Sequence, residues 1–239
     1  MKSKSLYLFA AIVLTSFASC KKDPIRQPDA TYNPVVSTAN FKNPTNITNP
    51  YFPATASKKY IYEGQTPDGL EHIEEQRLTA TKTILGITCI IVNFKAYLNG
   101  KLIEEAWDWY AQDDSGTVWY FGEAVDNYNT NGVLTDHDGS WEAGVDGAKP
   151  GMIMPANPLV GMKYREEYYF NHAEDEVEII GTGLSETISM GTYNNCIKTK
   201  NWTVLEPDAL ENKIYAPGIG LIKEINIQEK FEIVLVAIQ

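Results

Sequence analysis

From Thr88 to Leu98 the chain alternates: Ile90, Val92, Phe94, Ala96 and Leu98 are apolar, with Asn93 and Lys95 among the positions between them. A period of two sends successive side chains to opposite faces of an extended chain, so this stretch reads as a half-buried strand. Asn99-Gly100 follows, a pair that tolerates positive φ and favours a two-residue hairpin turn. The next segment, 102–112, is therefore expected to return antiparallel, and Asp113-Asp114-Ser115-Gly116 reads as a second turn leading into 117–121. Residues 58–63, 71–85, 162–170, 174–183, 195–205, 213–216, 221–227 and 231–238 are further strand candidates, and no long amphipathic helix is evident. Many strands joined by short turns, without helical crossovers, predict an all-β domain. The expected form is a strongly curved antiparallel sheet, a half-barrel or open barrel that limits its exposed edges, with a two-sheet β-sandwich as the alternative.

The N-terminus is built differently. Lys2 and Lys4 precede an apolar run from Leu6 to Leu14, which is shorter than the roughly 18 to 20 residues needed to cross a bilayer. Small residues and a cysteine then follow in Phe17-Ala18-Ser19-Cys20. This arrangement resembles the lipobox of bacterial lipoproteins. The resemblance implies that residues 1–19 are a signal peptide, that Cys20 is acylated (palmitate being a typical chain), and that the mature protein is held in a membrane. Lys21, where an aspartate would signal inner-membrane retention, implies the outer membrane, on either its periplasmic or its surface face. The other reading is an ordinary secretory signal cleaved near Ala18. Residues 20–50 contain Pro24, Pro28, Pro34, Pro44 and Pro50 and few core-forming side chains, the composition of a flexible tether. Residues 51–239 are long enough for a single β domain with one sizeable core.

Removing residues 1–19 takes away two lysines and no acid, which moves the net charge from −11 to −13. A body this acidic repels phosphate backbones, so nucleic acid is not an expected partner. A membrane, through the lipid anchor, is expected, together with a glycan, lipid or protein partner. An exported protein lives where disulfides persist, which makes Cys89 and Cys196 candidates for one bridge if the fold brings them within reach. Gly86 and Gly191, Tyr110 and Tyr215, and Ala111 and Ala216 each lie 105 residues apart, the two cysteines two residues further. Either the domain contains two similar meanders, or common strand residues coincide.

The richest chemistry lies between Trp107 and Glu123. If Gln112 faces Thr117, antiparallel pairing sets Trp109 opposite Tyr120 and Tyr110 opposite Trp119, so both faces of the hairpin are aromatic. One face serves a core; the other needs a cover or a ligand. Asp108, Tyr110, Trp119 and Phe121 are the candidate ligand-contacting residues, because carboxylates beside aromatic rings are what sugar-binding clefts use. The competing reading is packing, with the second face covered by residues 126–158. Asp108 with Glu123, or Glu166 with Glu178, are nominal acid pairs in a chain with 31 acids.

Other patterns fail on inspection. Asp136-His137-Asp138-Gly139 opens like a calcium loop, but Trp141 and Gly147 stand where an EF-hand requires glycine and glutamate. A looser set of Asp136, Asp138, Glu142 and Asp146 is the remaining metal arrangement, against an ordinary polar turn. Residues 144–151 share only their glycines with a phosphate loop, and Pro150 removes an amide donor where the helix should begin. Met152-Ile153-Met154-Pro155 reads as a plug or lid at one end of the sheet. His72, His137 and His172 have no ligand spacing, and no serine or cysteine sits in a nucleophile motif. No metal, cofactor or catalytic residue is expected.

Segments 109–113, 118–123 and 216–222 resemble a set of exported bacterial β-proteins to which no activity is assigned. That likeness spans about residues 51–227 and implies the fold alone. The expected function is non-catalytic binding of a ligand or partner through a curved, aromatic-lined sheet. A purely structural or assembly lipoprotein is the first alternative, and a polysaccharide hydrolase the second.

Overall fold

A computed structural model of the chain describes residues 26–239. Cys20 and the expected signal peptide lie outside the described residues. Apart from a short 3-10 turn at Thr38–Asn40, the regular structure is all strand. In chain order the strands are β1 Lys59–Thr66, β2 Gly69–Ile84, β3 Ile87–Leu98, β4 Lys101–Gln112, β5 Val118–Tyr128, β6 Leu134–Asp136 and β7 Trp141–Glu142. They continue with β8 Gly151–Met154, β9 Lys163–Arg165, β10 Asp175–Ile188, β11 Gly191–Thr203, β12 Leu210–Ala216, β13 Gly220–Asn226 and β14 Phe231–Ile238.

All 14 strands join one antiparallel sheet in the order β6-β5-β4-β3-β2-β1-β14-β13-β12-β11-β10-β9. β7 and β8 lie along β5 beyond β6, so three short strands share one edge. The sheet curls without closing into a barrel. Its two margins meet where β8 runs beside the chain after β9, and there the Lys149 amide donates to the Tyr168 carbonyl at 2.8 Å. The curved, open architecture expected from the turn pattern is therefore the architecture found, and the sandwich is not.

Local chemistry accounts for the turns. Asn99 (φ 51°) and Gly100 (φ 77°) make the expected tight hairpin, and the Asn99 side chain also accepts from the Leu70 amide at 3.0 Å. Along β3 the even residues face inward: Ile90, Phe94 and Ala96 are buried, while Asn93 and Lys95 bond Glu105 on the outer surface.

The sheet order splits into two six-strand runs, β1–β6 and β9–β14, joined where β1 pairs with β14. In the first, Tyr110 pairs with Ile90 and Tyr120, and Asp108 pairs with Glu123. In the second, Tyr215 pairs with Ile197 and Leu221, and Lys213 pairs with Glu224. Each run also has an irregularity beside its tyrosine, between Asp108 and Tyr110 on one side and between Ile214 and Tyr215 on the other. Tyr110 and Tyr215, 105 apart in sequence, thus occupy corresponding places in the two runs.

Two expectations are corrected. Cys89 and Cys196 are free and buried, in β3 and β11. They occupy matching positions in the two runs with five strands between them and belong to different hydrophobic clusters, and no bridge joins them. The described part of the expected tether, residues 26–50, is not free of the domain. Arg26 pairs with Glu174 at 2.6 Å, the Tyr32 hydroxyl donates to the Pro150 carbonyl at 2.8 Å, and Phe41 packs edge-on against Phe121. The prolines deny this segment a core of its own, but Tyr32, Phe41 and Asn49 give it anchors that bury on the sheet.

Candidate functional site

The curl turns the inner faces of both runs toward a common lumen. One part of it is filled: Ile73, Ala96, Ala106, Val125, Ile222, Ile233 and Leu235 are fully buried there. At another part, residues 50–55 cross the wall. The Gly218 amide donates to the Pro50 carbonyl at 2.7 Å, and Phe52 meets the Tyr110 ring edge-on with centroids 4.8 Å apart. Arg77 holds this strap by donating to the carbonyls of Thr45 and Ala54, both at 2.9 Å. Gly220 (φ 96°) lies against Pro53, and a Cβ there would come within 3.3 Å of the proline ring. What remains is a cavity of about 190 Å³.

Its lining is unusual for a protein interior. Strand alternation sends Glu104, Asp108 and Tyr110 of β4 inward, and β5 adds Tyr120 and Glu123. Glu75 arrives from β2, Glu166 and Glu167 from the chain after β9, Asp175 from β10, and Lys213, Tyr215 and Glu224 from the second run. Eight carboxylates thus face two cations, Arg77 and Lys213. Phe52, Val92, Phe94, Ile153 and Leu221 supply apolar wall.

Some of these groups have partners. Tyr110 and Tyr120 stack with centroids 4.7 Å apart, and the Tyr120 hydroxyl donates to Asp108 Oδ1 at 2.6 Å. Trp141 Nε1 donates to Glu123 Oε1 at 3.2 Å, and Asn201 Nδ2 donates to Glu166 Oε2 at 3.1 Å. Others lack them. Glu123 Oε2, Glu167 Oε2 and Asp175 Oδ1 are buried without a hydrogen-bond donor.

Desolvation drives the electrostatics. Glu75 is pushed up to about 7 by burial and by the neighbouring charge of Asp108. Asp108 is pushed up to about 7 by burial, against the Tyr120 hydrogen bond. Asp175 rises to about 7 by burial and the nearness of Glu166. Glu104, Glu123 and Glu167 are held well above the usual carboxylate range, burial again leading. Burial opposes the charge on Lys213, yet Glu224, at 3.8 Å, and Glu166 hold its proton well above the ordinary lysine value.

No protein-family model matches this chain, and no curated protein sequence matches it. Among solved structures, a candidate lipoprotein from Parabacteroides distasonis aligns over 79% of this chain and 98% of its own, at 11% identity and a TM-score of 0.41. Nothing about activity is carried over from that likeness.

Of the four candidate contact residues, Asp108 and Tyr110 line the cavity and Trp119 and Phe121 do not. The loop after β4 is one residue longer than the turn expected: Gln112 faces Val118, and Asp113 Oδ1 accepts from the amides of Ser115 and Thr117. A slip of one residue exchanges faces. Tyr110 therefore meets Tyr120, while Phe121 is buried outside against Phe41 and Trp119 Nε1 donates to Asp113 at 2.9 Å. Cover for the outer face comes from residues 36–47 as well as from Ala143 and Ala148 of the expected loop. Residues 152–154 are an edge strand beside β5 rather than a plug, with Ile153 turned into the lumen.

The nominal pair Asp108 and Glu123 is brought together across β4 and β5. Glu166 and Glu178 are not: Glu178 bonds Lys163 on the outer surface at 3.4 Å. Glu142 is committed to Lys82 at 2.7 Å and Asp136 to Asn127 at 2.8 Å, which disperses the loose metal set. Sequence reading missed Lys213 and Glu75. The available signal was parity, since both fall on the inward alternation of their strands.

Proposed function

We infer that this protein is exported, anchored by a lipid on Cys20, and binds a small molecule inside its curled sheet without transforming it. The cavity carries the reading: buried carboxylate oxygens without donors are costly, and here they sit with a stacked tyrosine pair around space for a ligand. At about 190 Å³ it exceeds the ~150 Å³ that accommodates benzene in an engineered core, so its occupant is a small molecule rather than a polymer. Anchoring is supported by the positive, apolar and small-residue order ending at Cys20. Outer-membrane residence rests on Lys21.

Two experiments test it. A palmitate analogue should label wild type and not Cys20→Ala, with the label sedimenting in the outer-membrane fraction. Melting of the full chain against a panel of small metabolites and glycans should show at least one ligand-dependent rise, because a ligand preferring the native state stabilises it by mass action. Filling the cavity with Val92→Trp should abolish that rise in a folded protein.

A second reading, hydrolysis of a small glycoside, is favoured by Glu75 and Asp108, two carboxyls held near neutrality as a general acid requires. Turnover of nitrophenyl glycosides that disappears in Asp108→Asn would establish it over simple binding.

A further inference from the structure

The first run of the sheet places Glu75, Asp108 and Glu123 on the cavity wall, and Glu167 enters the same space from beyond β9. Among the described residues no ion pair joins Asp108, Glu123 or Glu167 to a basic side chain. Arg77 is committed to two carbonyls of the strap, and Lys213 lies against Glu224 on the other run. Glu123 and Glu167 are 1% and 5% exposed, and Oε2 of each meets no donor. A carboxylate taken out of water needs a charge partner or a full set of donors. Among the described residues neither of these two oxygens has a hydrogen-bond donor, neither carboxyl is in an ion pair, and two tyrosine rings stack on the same wall.

We propose that the cavity takes a small organic cation, a primary ammonium or guanidinium group on an apolar body of about ten non-hydrogen atoms. This rests on the cavity being a binding site, as inferred above. The charged head meets Glu123 and Glu167 and lies near the tyrosine faces, whose quadrupole attracts cations. The apolar body lies along Phe52, Phe94 and Leu221. A divalent metal ion is the poorer match, because among the described residues no three acidic, histidine or cysteine side chains converge as a ligand set. A cation favours the ionised form of these raised carboxyls and so gains an ion pair, whereas a neutral polyol supplies donors without that gain.

The test is calorimetric titration and melting of the full chain with five probes. Tyramine carries an ammonium on an aromatic body; agmatine carries ammonium and guanidinium; tyrosol is the neutral counterpart of tyramine; glucose and calcium chloride complete the set. Tyramine is expected to raise the melting temperature and to bind about tenfold or more tightly than tyrosol. Glu123→Gln and Glu167→Gln, which keep shape and remove charge, should each weaken tyramine by about tenfold and leave tyrosol unchanged. If either fails to fold, Asp108→Asn repeats the measurement from the neighbouring strand. Tyrosol, glucose or calcium binding while tyramine and agmatine do not would leave the cavity as a site and overturn the cation. Unchanged tyramine binding in a folded glutamine variant also overturns it. Silence from all five probes removes the cavity reading along with the cation.

Discussion

The two runs of the sheet share a frame and carry opposite charges where Asp108 and Lys213 correspond. Asp108 faces Glu123 in the first run; Lys213 faces Glu224 in the second. Strand order, the irregularity beside the tyrosine and the tyrosine itself are the same in both. A pleated frame is specified by alternation and turns, which tolerate either charge at an inward position as long as its surroundings compensate. At this position the second run supplies its own cation and the first supplies none, and the ligand proposed for the lumen would stand where the lysine of its counterpart stands.

Removing that lysine should produce the largest effect. Lys213→Met takes the lysine away from the buried carboxyls Glu224 and Glu166 and is expected to cost about 3 kcal/mol or more in urea unfolding. Asp108→Asn, at the matching place, should be neutral or stabilising without ligand, since it removes a charge that has no partner cation. Equal losses in both variants would mean that the runs do not differ as described.

Next in size is a pH effect. On folding, Glu75 rises from its usual 4.5 to about 7. A carboxyl raised on folding holds its proton more tightly in the native state, so its contribution is complete below the unfolded value and is lost as pH rises through the folded one. Between about pH 4.5 and 7 wild type should therefore lose on the order of 3 kcal/mol that Glu75→Gln retains. Unfolding of both proteins across that range checks it: the gap should widen with pH and then level. A constant gap would place Glu75 in water.

Much of this frame was readable beforehand, for reasons visible in particular residues. Asn99-Gly100 fixes a hairpin through its own φ preferences, and the alternation around Phe94 assigns an inward face. The site was half readable. Asp108 and Tyr110 share an inward parity, but Trp119 and Phe121 were assigned through a turn whose length depends on Asp113 accepting two amides. That bond alters the register by one residue and moves an aromatic pair to the other face. Lys213 and Glu75 lie far from Asp108 in sequence, and only the curl brings them near. The packing of residues 26–50 escaped because proline content signals the lack of an internal core and says nothing about docking on another surface.

Trp119 separates the outer face from the lumen. Its half-buried ring covers the sheet and donates to Asp113. Trp119→Ala should cost about 2 kcal/mol while leaving ligand affinity in the cavity unchanged, in contrast to Tyr110→Ala, which removes one ring of the lumen pair. A Trp119→Ala protein that folds but no longer binds would move the site to the outer face.

The smallest effect concerns the cysteines, and it probes the matched frame without touching charge. Cys89 and Cys196 precede Ile90 and Ile197, pack in different clusters and have thiols raised by burial, Cys89 to about 12. A thiol that is both buried and held neutral is a poor nucleophile. Both should resist alkylation in the native protein and react once it unfolds, and reductant should leave the melting temperature unchanged. Each replacement by alanine removes one sulfur from a close-packed site and should cost about 1 kcal/mol. The two costs should add, since five strands separate the sites and distant substitutions are independent. A double variant far from the sum would show that the two runs unfold through a shared contact rather than as parallel copies of one frame.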